Sequence, residues 1–225
     1  MTLPIRRTAA GPLCVALLAA VAIAASPGAP QAAGSKALNG TFRLKAGSHS
    51  GGKPRGTYFR MILARGQGYL KNPDSRSRDK TYTLGRPGRD LGLVTGRYQS
   101  HPSPAFASNG SARANRIIKP ESFTSINFSV ATPRKDPQSK KYVAAPSARV
   151  SGRRLTVSLP GYTAEWNKQY FNQGAPKPNG SGRAATGTFN AKTKHFVLTW
   201  TSKISGGPFN GFSGYWHLEG TFSPG

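Results

Sequence analysis

The sequence predicts an all-β fold, a single antiparallel β-sandwich or a closed β-barrel with long Pro/Gly-rich loops. Three observations predict it. Past residue 37, short segments alternate apolar and polar residues, the period of two that sends successive side chains to opposite faces of a sheet. No segment sustains the 3.6-residue period of an amphipathic helix. The alternating segments are set between clusters of Gly, Pro, Asn and Ser, as strands of sandwiches and barrels are.

The chain opens on a segment outside that fold. "MTLPIRR" is basic, "LCVALLAAVAIAA" runs apolar from Leu13 to Ala25, and "SPGAPQAAGSKA" is small and Pro-rich. That order marks a cleaved secretory signal peptide. The apolar run of thirteen residues falls short of the roughly 18 that span a bilayer, so no transmembrane segment is expected in the mature chain. Cleavage fits after Ala24 or after Ala33, and the later site leaves structure to begin near Leu38. The expected organisation is a signal peptide over 1–33, a short disordered N-terminus over 34–37 and one β domain over 38–225. Arg6-Arg7 also raises the twin-arginine route, although "PIRRTAAG" lacks the bulky apolar residue expected two places after the pair.

The strands read in order. In "LNGTFRLK", Leu38, Gly40, Phe42 and Leu44 share one face and Asn39, Thr41, Arg43 and Lys45 the other. "TYFRMILA" sets Phe59, Met61 and Leu63 against Tyr58, Arg60 and Ile62. A short strand is expected inside the long connection near Leu91–Tyr98. "TSINFSV" aligns Ile126, Phe128 and Val130, and "RLTVSL" aligns Leu155, Val157 and Leu159. "TGTFNAKTKHFVLTW" reads as a hairpin closed by "NAKTK". In the last strand Trp216, Leu218 and Phe222 alternate onto the core face, with Tyr215 and His217 opposite. The first and last strands look alike, and pairing them would close the barrel or sandwich and remove an edge.

Composition narrows function. The only cysteine, Cys14, lies in the apolar leader, so the mature chain has no disulfide and no thiolate metal site. The chain carries 32 Lys and Arg against 7 Asp and Glu; without Arg6 and Arg7 the remainder carries +23. Such a field favours polyanions, including anionic envelope polymers. The basic residues are scattered singly among Ala, Gly and Pro, a composition that points to an exported bacterial protein. Export makes intracellular nucleic acid an unexpected partner, and no RNP-like strand signature occurs.

Chemistry is sparse. His49, His101, His195 and His217 show no HxH or HExxH spacing, so neither a metal nor another cofactor is expected. No GxSxG, P-loop or GxGxxG element is present. Two carboxylates, Glu165 and Glu219, are embedded among aromatics; as a facing pair they would make a secreted hydrolase. His217 and Glu219 share a strand face, which makes them either an acid–base couple or simply the outer face of that strand.

The remaining signal is aromatic and amide-rich. "YTAEWNKQYFNQG" and "GGPFNGF" hold Trp166, Tyr170, Phe171, Asn172, Gln173, Phe209, Asn210 and Phe212. Flat apolar faces beside neutral amides suit sugar rings and other amphipathic ligands. The expectation is a monomeric, secreted, non-catalytic binding protein of the bacterial envelope or exterior. Its ligand would be a cell-wall glycan or anionic envelope polymer. The alternatives are the Glu165/Glu219 hydrolase and a structural envelope protein held by its charge.

Overall fold

A computed structural model describes residues 34–225. The expected signal peptide, and with it the export route, lies outside the described residues.

Among the described residues sixteen strands form and no α-helix does: β1 (Lys36–Ala37), β2 (Gly40–Leu44), β3 (Ser48–Ser50), β4 (Lys53–Arg55), β5 (Tyr58–Ile62), β6 (Thr83–Leu84), β7 (Gly92–Val94), β8 (Glu121–Phe123), β9 (Ile126–Ala131), β10 (Ser147–Ser151), β11 (Arg154–Ser158), β12 (Thr163–Trp166), β13 (Gln169–Asn172), β14 (Ala185–Phe189), β15 (His195–Lys203) and β16 (Ser213–Pro224). Every ladder is antiparallel. The strands build three sheets. The largest has ten strands, with the path β1-β10-β11-β14-β15-β16-β2-β7 and with β5 and β6 branching from β16. A second sheet orders β13-β12-β9-β8, and β3-β4 is a separate ribbon.

The expected single sandwich or closed barrel is therefore corrected: the large sheet curls into an open half-barrel. The strand expected to be first, which forms β2, does pair with the last strand β16, Phe42 opposite Phe222, yet this does not close the sheet, and the short β1 that precedes it pairs with β10. Closure would need a ladder between its two ends, and the end strands β1 and β7 are only two and three residues long. The segment Leu38–Gly40 crosses the opening instead. It is held by Leu38 N–H to Ala148 O at 2.9 Å, and by the Thr95 hydroxyl, which donates to Leu38 O at 3.0 Å and accepts from Gly40 N–H at 2.9 Å.

The twelve-residue β16 organises the large sheet. Along one side it pairs with β15 over its first nine residues. Along the other it pairs with β5 through Ser213–His217 and with β2 through Gly220–Pro224. Gly220 opens the ladder with β2, where a Cβ would lie 1.9 Å from the Arg43 carbonyl oxygen; only glycine permits that approach.

Period two gives each strand of the curl an inner and an outer face. Phe42, Leu155, Phe196, Leu198 and Leu218 are fully buried inside, with Trp200 and Trp216 stacked at 5.9 Å. The four-stranded sheet covers part of this apolar face, bringing Phe128 within 5.8 Å of Phe59 and 6.5 Å of Trp216. The connection 97–116 covers the reverse side of that smaller sheet, tied by Gln99 to Thr132 and by Ala112 N–H to Asn127 O at 2.9 Å.

Candidate functional site

The loop residues expected to bind ligand divide by strand phase. Register pairs Ala164 with Phe171 and Trp166 with Gln169 on one face of β12–β13, and Thr163 with Asn172 and Glu165 with Tyr170 on the other. Trp166 and Phe171 therefore turn toward the large sheet, where Phe209 meets their rings at 5.2 and 6.2 Å. Phe209 lies in a short 3-10 turn, and Phe212 packs 6.2 Å from it. These four aromatics come together, and three of them, Trp166, Phe171 and Phe209, line an almost wholly apolar cavity of about 40 Å³. Tyr170 faces the other way, 5.5 Å from His101 and 5.1 Å from Phe106.

The amides of the same segments are engaged within the protein. Asn172 Nδ2 donates to Asp136 Oδ1 at 3.0 Å and to Pro160 O at 2.9 Å, while its Oδ1 accepts from Gly174 N–H at 2.8 Å. Gln173 Nε2 donates to Asn172 O at 3.1 Å and its Oε1 accepts from Trp216 Nε1 at 3.4 Å. Asn210 Oδ1 accepts from Gly206 N–H at 2.9 Å. Asn172 and Gln173 are buried and need such partners, whereas Asn210 is exposed.

Glu165 and Glu219 are not brought together. Glu219 is on the outer face of β16, opposite core residue Leu218. Glu165 is on the face of β12 turned away from the large sheet. The two packed sheets lie between them, and sheets pack about 10 Å apart, beyond the roughly 5–9.5 Å that a carboxylate pair spans in a glycosidase.

Each carboxylate has its own partners. Fully buried Glu165 receives His101 Nδ1 at 2.6 Å, while its Oε2 has no hydrogen-bond partner. Burial raises its pKa, and the His101 contact only partly offsets this. Glu219 and His217 together clamp one residue: Glu219 Oε2 accepts from Gly56 N–H and His217 Nδ1 meets Gly56 O, both at 2.9 Å. Burial holds His217 below the usual histidine range. Buried or half-buried ion pairs occur elsewhere, with Arg86 at 2.8 Å and Arg76 at 3.4 Å from Glu121, and Arg116 at 2.8 Å from Asp90. Among the described residues no three His, Cys, Asp or Glu gather as metal ligands.

A different aromatic group lies on the outer face of the large sheet. Tyr58 of β5 stacks on His217 of β16 at 4.5 Å and 6°. Tyr215, two residues before His217, has its ring 6.3 Å from that of Tyr58, and Tyr82 meets the Tyr58 ring edge-on at 5.2 Å. The Arg60 guanidinium sits between Tyr69 and Tyr82, 3.2 and 4.1 Å from their ring centres, and donates to Thr81 Oγ1 at 2.9 Å. Tyr69 is 41% exposed, one of three large hydrophobic side chains so exposed among the described residues.

No protein family, curated protein or solved structure matches this chain. Its chemistry rests on its own geometry: an all-β domain without α-helix, with aromatic clusters inside and out and with buried ion pairs. Sequence reading set Tyr58, Arg60, Tyr215 and His217 on outward faces but did not join them. The available signal was their i, i+2 spacing on two strands of opposite phase to the core. Tyr69 and Tyr82 lie outside the regular alternation and gave no signal.

Proposed function

We propose that this chain is a secreted, non-catalytic β-domain protein of a bacterial envelope or exterior, and that it binds a glycan or similarly amphipathic envelope component through the outer face of its large sheet. The observation that carries the reading is the Tyr58–Tyr69–Tyr82–Tyr215 group with Arg60 held between two of its rings. Tyrosine offers a flat apolar face and a hydroxyl at little entropic cost, which matches a sugar ring with apolar faces and a polar rim. Arg60, already stacked, loses little further freedom on binding. Secretion is supported by the basic–apolar–small order of the first 33 residues. The loop aromatics Trp166, Phe209 and Phe212 are assigned to closing the end of the core, because Trp166 and Phe209 line one apolar gap with Phe212 packed against Phe209, and because Asn172 and Gln173 beside them are engaged internally.

The test is retention on insoluble bacterial cell wall in 0.5 M salt, where exposed charges are screened. The parent should be retained. Tyr58→Ala with Tyr69→Ala should weaken retention by about 5- to 150-fold, from about 0.5–1.5 kcal/mol for each of two aromatic contacts, with a cooperative melt preserved. Trp166→Ala with Phe212→Ala should lower the melting temperature and leave the retention of folded protein intact. Equal retention of the tyrosine variant and loss by the Trp166/Phe212 variant would move the site to the loops.

A further inference from the structure

Beside the tyrosine group the surface carries a groove that its aromatic chemistry does not account for. Its central hollow, about 840 Å³, is lined by Arg86, Arg89, Lys119 and Leu91. It shares Pro87 and Leu91 with a hollow of about 520 Å³ lined by Arg43 and Lys45. Glu219 lines that second hollow, and His217, two residues back on the same strand face, stacks on Tyr58. Two residues along a strand are about 6.8 Å, so the groove ends one step from the tyrosine group.

We infer that this groove binds a linear anionic glycan, with Arg43, Arg89 and Lys119 taking its phosphate or carboxylate groups and Leu91 seating a sugar ring between them. The inference rests on the glycan reading above and adds the ligand's charge and its path.

Charge favours an oxyanion here. Arg86 is matched with Glu121 at 2.8 Å, and Lys45 lies 3.7 Å from Glu219. Arg43, Arg89 and Lys119 are exposed and have no acidic partner among the described residues. Three unpaired cations along one groove suit an anion repeated along a chain better than a single small anion. Arginine takes phosphate or carboxylate through its planar fork.

The groove floor is rigid. The segments on either side are joined backbone to backbone: Gly88 N–H to Ile117 O, Arg89 N–H to Asn115 O and Lys119 N–H to Arg86 O, at 2.9, 2.7 and 2.9 Å. Gly88 allows this closeness, since a Cβ there would lie 2.3 Å from Asn115 O.

Leu91 marks where the ring would sit. It is 43% exposed and has φ +62°, in the left-handed region that disfavours a bulky residue. A leucine both strained and solvent-facing costs stability twice, and its place at the junction of two basic hollows gives it a use: an apolar seat between anion sites. Basic side chains alone would bind any polyanion, whereas this seat selects one that carries rings with an apolar face.

The experiment measures binding of the protein to poly(glycerol phosphate), polygalacturonate, inorganic polyphosphate and neutral dextran over a salt series. Both anionic polymers with a carbon backbone should bind more tightly than dextran, and the phosphate and carboxylate arms tell the two anion sources apart. Arg89→Gln with Lys119→Gln should weaken both by about tenfold or more and reduce the log–log salt slope by about 1.4–1.8, two contacts at about 0.7–0.9 each. Leu91→Asn tolerates the left-handed backbone, so it should melt no lower than the parent. It should weaken polygalacturonate, the arm with sugar rings, and leave polyphosphate unchanged. An unchanged affinity in the Arg89/Lys119 variant would overturn the groove. So would polyphosphate binding as tightly as polygalacturonate with no effect of Leu91→Asn, which is attraction by charge alone. Tyr58→Ala with Tyr69→Ala separates the two readings: if it abolishes cell-wall retention while the groove variants change nothing, the tyrosine site stands and the groove falls. The converse result leaves the groove and removes the tyrosine site.

Discussion

At the scale of single residues, the buried carboxylates work in opposite directions. Asp136 is fully buried. Burial alone would raise its pKa, but hydrogen bonds from Ser139, Asn172 and Thr163 outweigh that and hold it below the usual carboxylate range. A depressed pKa adds stability that is present above the unfolded value, about 3.9, and is lost as pH falls through the folded value. Asp136→Asn removes that dependence: its remaining oxygen can still accept from Thr163 and Asn172, but an amide NH2 then replaces the Oδ2 that accepts from Ser139 N–H at 2.7 Å. It should destabilise the protein by about 1–3 kcal/mol at pH 7, and a denaturant melt at pH 7 and pH 3 checks both statements, the deficit shrinking at the lower pH. Glu165 has the reverse sign: its raised pKa costs stability as pH rises above its unfolded value. Little of this was legible in the sequence. Asp136 reads as a polar loop residue in "RKDPQSKK", and His101 is 64 residues from Glu165. Local spacing carries no signal across such separations. The amides of "YFNQG" were legible as polar residues among aromatics, but their partners were not, so internal bonding and ligand binding looked alike.

At the scale of elements, period two was a strong guide because one face of each strand must be dry. It put Trp216, Leu218 and Phe222 inside, where all three are buried, and it found the β14–β15 hairpin with its link at 190–194. It also found the short strand in the long middle connection, β7. The fork at β16 was not legible, since which edge a strand offers to which partner depends on backbone geometry rather than side-chain type. Trp216 tests the phase. Its ring contacts Phe59 at 4.5 Å and Tyr162 at 5.1 Å, so Trp216→Ala removes a side chain from the contact between the two larger sheets. It should cost about 3–5 kcal/mol in a denaturant melt, with Phe212→Ala, half-buried at the rim, costing much less. Equal losses from the two would contradict the inward phase of Trp216.

At the scale of the whole molecule, pattern decided fold class and left closure open. Pairing the strand expected to be first with the last one looked sufficient to close the sheet; the structure shows that it is not, because β2 and β16 are neighbours inside the path, one strand from its β7 end, and the ends β1 and β7 stay unjoined.

Net charge is the other property of the whole chain. With +23 beyond residue 33, the protein should adsorb to anionic lipid vesicles at low salt and desorb by 0.5 M, where the Debye length is only about 4 Å. This adsorption is a sum over scattered side chains, so no small set of them should control it. Arg89→Gln with Lys119→Gln removes two of the 30 basic residues that lie beyond Arg7, and vesicle cosedimentation should fall only slightly. Binding to a linear anionic glycan should fall far more, because the groove concentrates on one path what the vesicle reads from a whole face. The ratio of the two losses is therefore the measurement to make. A ratio near one would mean that the groove cations act only as part of the general field, and that the basic charge holds the protein to its surroundings without choosing among them.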